Sequence, residues 1–140
     1  MDQRKIQVIV YRVSGSNGEV LLLKRSGTDV WAPITGGVEV GETYNQAARR
    51  ELLEEVGARS WKKFVPSVHS FTFINPPVHR RPGLVHEEVF GCEVDSGFVP
   101  TLSEEHDDYR WVSFEQALEY ALPKDQKIAL EKLSILTESL

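Results

Sequence analysis

Residues 36–58 read GGVEVGETYNQAARRELLEEVGA. Two glycines open a loop, and Thr43 with Gln46 three places on forms a capping-box pattern that starts a helix. Gly57 is the natural residue to end that helix. Ala48, Leu52 and Val56 recur at four-residue spacing and predict a buried stripe. Beside the stripe run Glu51, Glu54 and Glu55, which at about 100° of turn per residue share roughly a third of the helix circumference. Like charges at i,i+3 and i,i+4 repel by a few tenths of a kcal/mol per pair. A solvated acidic face is the plain reading of such a cluster. The chemical reading is a hard divalent cation seated against it, since Mg²⁺ takes oxygen ligands and is commonly held by one or two carboxylates together with substrate phosphates.

Outward from this helix the chain alternates strand and helix signals. Ile6 to Val13 and Val20 to Arg25 are β-branched and apolar, with Asn17-Gly18 between them as the expected hairpin turn. Leu21, Leu22 and Leu23 form a continuous apolar run, as in a strand covered on both faces. Pro33 disfavours a regular central strand at its own position. Beyond the helix, Trp61 to Ile74 is strand-rich, with Val68, Phe71 and Phe73 as candidate core residues. Residues 75–83, NPPVHRRPG, read as a loop, and Leu84 to Val94 and Tyr109 to Val112 as further strands. Ser113 and Gln116 make a second capping box opening a helix through about Leu122. A last helix follows Pro123 with Ala129, Leu133, Leu136 and Leu140 on one side. This order predicts an α/β chain, a mixed sheet covered by helices, and the absence of any linker or repeat predicts one domain over residues 1–140.

Composition narrows the function classes. A 140-residue chain that is 41% hydrophobic and 26% charged is ordinary for a globular domain. The net charge of −5 argues against a nucleic-acid polymer or an anionic membrane as partner. No apolar stretch is long enough to span a bilayer or serve as a secretory signal. The single Cys92 cannot pair within the chain, and its apolar strand context makes it a buried structural thiol rather than a nucleophile. A cytoplasmic location is the resulting expectation, and oligomeric state has no signal.

The central stretch resembles the Nudix box, Gly-x5-Glu-x7-Arg-Glu-aliphatic-x-Glu-Glu-x-Gly-aliphatic, through Gly36, Glu42, Arg50, Glu51, Leu52, Glu54, Glu55, Gly57 and Ala58. Only the last place departs, Ala58 being smaller than the usual Ile, Leu or Val. The resemblance implies an α/β/α sandwich with a mixed β-sheet between helices, and Mg²⁺-dependent phosphoanhydride hydrolysis in which Mn²⁺ can substitute. By the same resemblance Glu51, Glu54 and Glu55 form the metal shell and carry catalysis, with Arg50 and Glu42 orienting the site. Family members differ over which carboxylate is the general base. The segment EEHDDYRW, residues 104–111, resembles the place where a Glu before His supplies another metal ligand or base. Glu105 fits that place beside Glu104, Asp107 and Asp108.

VWAPITGGVEVGET, with VLLLKR upstream and EHDDYRW downstream, is similar to the dihydroneopterin-triphosphate/dATP pyrophosphatase branch, which leaves a monophosphate and releases pyrophosphate. That similarity implies a nucleoside or pterin triphosphate as the small-molecule partner, met by Arg25, Thr35, Gly36 and Gly37. His79, Arg80 and Arg81 form a cationic loop suited to a triphosphate tail, or simply a solvated one. Trp31, Phe71 and Phe73 have the flat faces to stack on a base or pterin, and Glu87 or Glu88 reaches the cleft, depending on which face of its strand is inward. The rival enzyme reading is a dinucleoside-polyphosphate or nucleotide-sugar hydrolase. A non-catalytic nucleotide-binding module would be expected to lose box carboxylates, and here all are present.

Overall fold

A computed structural model of the chain describes residues 3–138. Strands β1 (Gln3–Ser14) and β2 (Asn17–Arg25) form an antiparallel hairpin in which Ser14 faces Asn17. The turn is therefore Gly15-Ser16, two residues before the expected Asn17-Gly18, which already belongs to the ladder. Gly15 at φ 63° supplies the left-handed first position of a tight hairpin turn, which Asn-Gly need not then provide. The hairpin arms splay beyond this paired end. Into the gap run β3 (Trp31–Ala32), which pairs with β2, and β4 (Ile34–Gly37), which pairs with β1. Pro33, lacking an N–H for either ladder, falls at the break between them.

β5 (Lys63–Asn75) and β6 (Gly83–Glu93) form a second antiparallel hairpin, and β6 runs parallel to β1. β7 (His106–Ser113) pairs antiparallel with the other side of β2. The result is a seven-stranded mixed sheet. Its ladder with β7 shifts register between Lys24 and Arg25, an irregularity of the kind that re-aims a side chain at the end of a strand.

Helix α1 (Tyr44–Val56) covers one face. Thr43 and Gln46 cap each other reciprocally, and Gly57 ends the helix at φ 72°. Ala47, Ala48, Leu52 and Val56 are fully buried against Ile6, Val8 and Val10 of β1, Leu21 and Leu23 of β2, and Phe90 and Cys92 of β6. Burying Leu52 and Val56 stabilises the fold by about 1.5–3 kcal/mol each. Ala58, small for its place, sits in this same core among the half-buried Trp61, Phe64 and Phe98. Cys92 is buried here as expected, its thiol pushed up to about 12 by burial.

The other face carries α2 (Phe114–Ala117) and α3 (Lys124–Glu138) over Ile9, Tyr11, Leu22 and Val89. The layers are thus helix, mixed sheet, helices, the sandwich expected from the sequence. Alternation along β2 sends Leu21 and Leu23 to one core and Leu22 to the other.

Three readings of detail need correction. α2 keeps its Ser113–Gln116 capping box but stops at Ala117, well before Leu122, because Glu119 and Tyr120 bond back three residues and tighten the chain into turns. The buried stripe of α3 is Gln126, Ala129, Leu130 and Leu133, an i, i+3, i+4, i+7 face that ends before Leu136, which is 45% exposed. Leu140 lies outside the described residues. Phe71 and Phe73 are half-buried cavity wall rather than interior, while Val68 is in the core.

α3 sits close on β6. A Cβ added at Gly91 would lie 2.8 Å from Leu133 Cδ1. Gly91→Ala should therefore lower stability in urea unfolding by about 1–3 kcal/mol. Gly97→Ala, with nothing within 4 Å, should change it by less than about 0.5 kcal/mol. Equal midpoints for the two variants would contradict this packing.

Candidate active site

The glycine loop and the helix are joined by one guanidinium. Arg50 donates from Nε and Nη2 to the two oxygens of Glu42 (2.7 and 3.0 Å) and from Nη1 to Glu51 Oε1 (2.9 Å) and Glu54 Oε2 (3.3 Å). Its Nη2 also donates to the Gly37 carbonyl (2.8 Å). All of its N–H donors are spent, a use of the planar fork that a lysine cannot reproduce. Hydrogen bonds from Arg50 hold the Glu42 carboxyl down at about 2, and the same bonds raise Arg50 above its ordinary value. Glu42 in turn accepts from the Glu39 N–H at 2.9 Å, closing the loop on itself.

The loop also touches the helix sterically. The Glu51 carboxyl occupies the space where a Cβ on Gly36 would stand, so only glycine lets it lie there. Glu51 is 8% exposed, and burial pushes its carboxyl up to about 7 even beside Arg50.

A second loop closes on the far end of α1. Ser103 Oγ donates to Glu55 Oε2 at 2.9 Å, and His106 Nδ1 lies 2.9 Å from the same oxygen. Backbone bonds from Thr101 to the Val56 carbonyl and from Ser103 to that of Glu55 fix the approach. Glu105 sits in this turn between them. Its carboxylate is exposed, and its carbonyl accepts from the Ser26 N–H. Asp107 is committed to Lys24 at 2.6 Å.

Between the sheet and α3 lies a cavity of about 450 Å³, within the size range of small-molecule sites. Arg25, Thr35, Trp31, Phe71, Phe73 and Glu87 line it. It abuts the carboxylate helix at two points. His106, a wall residue, reaches Glu55, and Thr35, another, is followed in the chain by the Gly36 on which Glu51 rests.

Sequence expectations for the site divide into two groups. Glu51, Glu54, Glu55, Arg50, Gly36, Gly37, Thr35 and Arg25 come together around the loop, the helix and the cavity. Arg80 and Arg81 stand apart, because the Arg81 carbonyl is held by Gln3 and Asn75 in the exposed β5–β6 loop and neither side chain lines the cavity. Of Glu87 and Glu88, strand alternation turns Glu87 to the cavity wall shared with Phe71, while Glu88 accepts from Ser67. Sequence reading missed His106, Ser103, Lys5 and Gln126. The His beside Glu105 was a signal for the first, whereas nothing local marks the other three.

The donor set suits a hard divalent cation. Glu51, Glu54 and Glu55 offer only oxygens, and burial disfavours the charged form of Glu51 even beside Arg50, a penalty that a bound cation would offset. Among the described residues no three acidic, cysteine or histidine side chains converge as a ready cage, so the carboxylates stand as separate donors along one helix face. Without metal, the raised Glu51 has a thermodynamic consequence. The folded state holds a proton the unfolded chain gives up, so the associated stability is full below the ordinary 4.5 and is lost as pH rises through about 7. Glu87, also raised to about 7 by burial, acts in the same direction. Chelated protein should lose stability from about pH 5 to about pH 7.5, and Glu51→Gln should flatten part of that slope. An unchanged slope in urea titrations of the variant would contradict the burial of this carboxyl.

Comparison with known proteins bears on the whole chain. Residues 3–133 match the NUDIX domain. The dihydroneopterin triphosphate diphosphatase of Haemophilus influenzae is 31% identical over 139 residues, spanning 94% of this chain and 87% of that protein. A Listeria monocytogenes structure described as a NUDIX hydrolase superposes with a TM-score of 0.84 at 28% identity, covering 96% of this chain and 94% of that one. The Escherichia coli dihydroneopterin triphosphate pyrophosphohydrolase does so with a TM-score of 0.80 at 25% identity, over 95% of each chain. With the box, the fold and these relatives in agreement, the chain belongs to the Nudix family of phosphoanhydride hydrolases.

Proposed function

We propose that residues 1–140 act as one Nudix domain that hydrolyses a nucleoside or pterin triphosphate to the monophosphate and pyrophosphate, with Mg²⁺ as cofactor and Mn²⁺ as a substitute. The observation that carries this reading is the continuity of an aromatic-walled cavity with the carboxylate face of α1, through His106 on Glu55 and Thr35 beside Gly36. A ring-bearing group has room at one end, and its polyphosphate reaches the acidic helix at the other. The name of the Haemophilus influenzae relative is consistent with a pterin triphosphate, and Nudix hydrolases generally use divalent cations.

In this reading Glu51, Glu54 and Glu55 hold the cation, with the exposed Glu105 on the adjoining turn as a further ligand or base. The bound ion neutralises phosphate charge and lowers the pKa of water. The chain's own groups do the rest. Arg50 fixes the carboxylates against the glycine loop. Arg25, on the cavity wall, offsets phosphate charge, and Thr35, Gly36 and Gly37 border the phosphates. Water attacks phosphorus, the bond between the α- and β-phosphates breaks, and one carboxylate accepts the proton of the attacking water. Among the described residues no helix is long and apolar enough to cross a membrane.

A product-identified assay with Mg²⁺ tests the reading. Triphosphates should yield pyrophosphate plus monophosphate. Turnover of dinucleoside polyphosphates or nucleotide sugars alone would replace it, and tight nucleotide binding without turnover would make the domain a binding module. In the same assay Glu55→Gln, which keeps an acceptor for Ser103, should lower kcat by about 10²–10⁴-fold with little loss of thermal stability.

A further inference from the structure

The cavity wall carries polar groups that the protein leaves unspent. Glu87 is 5% exposed, yet among the described residues no group donates a hydrogen bond to its carboxyl or forms an ion pair with it. Its cross-strand neighbour Lys5 stabilises its charge only from beyond ion-pair distance, while burial raises the carboxyl to about 7. Gln126 of α3 is nine-tenths buried and lines the same cavity, and its Oε1 has no partner in the protein. Gln7, on the β1 face shared with Lys5 and opposite Thr35 of β4 but not itself on the cavity wall, is also fully buried with both Oε1 and Nε2 unpartnered. Buried polar groups are ordinarily paired, and leaving one unpaired costs stability that a ligand supplying the partner recovers. Asp125, by contrast, is already bonded to His69 Nε2 at 3.0 Å, and Lys132 donates to the other ring nitrogen at 2.9 Å.

The apolar walls are flat. Phe71 and Phe73 stack along β5 with centroids 5.9 Å apart, continuing a stack begun by His69. Trp31, also on the wall, is held edge-on by Tyr120 and covered by the Arg110 guanidinium at 4.3 Å. Planar walls with unpaired acceptors describe a slot for a heteroaromatic ring that presents N–H groups.

Resting on the hydrolase reading above and refining it, we propose that this slot selects rings with a 2-amino-4-oxopyrimidine edge, the edge shared by guanine and pterins, and that Glu87 and Gln126 are its specificity residues. That edge places a ring N–H beside an exocyclic amino group, matching the two oxygens of Glu87 and the Gln126 carbonyl. The flanking ring carbonyl is the acceptor that the Lys5 ammonium needs. Adenine and cytosine offer one amino group beside a ring acceptor whose lone pair opposes the carboxylate. Uracil offers one N–H between two carbonyls. Sites built on such hydrogen bonds reject analogues that leave their buried groups unpaired.

The test uses nucleotide monophosphates and EDTA, so that it needs neither metal nor turnover. Chemical-shift titrations of the full chain with GMP, neopterin monophosphate, AMP and UMP should give at least about tenfold tighter binding of one or both of the first two. Whichever binds more tightly identifies the source of the edge. Glu87→Gln should reduce that preference by about 10–100-fold while leaving AMP affinity little changed, and its thermal unfolding should be no worse than that of the parent. Gln126→Met, of similar volume without the acceptor, should reduce it in the same direction. The proposal is overturned if AMP or UMP binds as tightly as both 2-amino-4-oxo compounds, if neither of those binds, or if both variants keep the parental preference. A preserved preference in a protein that hydrolyses no triphosphate would instead remove the hydrolase reading and leave this slot standing.

Discussion

The site depends on a single side chain that has no freedom left. Arg50 donates to Glu42, Glu51, Glu54 and the Gly37 carbonyl at once. Bidentate and charge-assisted bonds are the strong ones, and a network in which every donor is used fixes geometry better than isolated pairs do. One guanidinium thereby sets where the glycine loop lies and which way two helix carboxylates turn. It also offsets much of the repulsion that three neighbouring glutamates would otherwise impose on α1.

The rest of the fold places this network against a usable space. The splayed β1–β2 hairpin admits β3 and β4, and their insertion brings Gly36 under Glu51 and Thr35 into the cavity. The 103–106 turn, tied to Glu55 and to the last turn of α1, brings His106 to the other boundary. The two faces of the sheet carry different groups. The α1 side carries the carboxylates and Arg50, which the proposed reading assigns to a cation and phosphates. The α3 side carries rings and unpaired polar groups, which it assigns to whatever the phosphates are attached to.

Legibility followed the range of the interactions. Thr43, Gln46 and Gly57 act on the helix they belong to, so its boundaries could be read from spacing alone. The carboxylate face was legible for the same reason, and Arg50→Glu54 is itself an i,i+4 pair. The hairpin was legible but its turn was not, because Gly15-Ser16 and Asn17-Gly18 both carry turn chemistry and only cross-strand register chooses between them. Lys5, Gln7 and Glu87 acquire meaning only from the pairing of β1 with β6, a parallel contact between segments far apart in the chain. Gln126 likewise needs the seat of α3 on the sheet. A lone polar residue in such an element carries no motif, and α3 even drew the eye to Leu136 instead.

The claim that Arg50 organises the cation site is tested most directly by titrating Mn²⁺ into Arg50→Lys and following free ion by electron paramagnetic resonance. Lysine keeps the positive charge and removes the fork, so any change reports geometry rather than repulsion. The account predicts that Mn²⁺ affinity falls by about tenfold or more while the fold persists. Affinity equal to that of the parent chain would mean that the carboxylates find their positions without Arg50, and would contradict it.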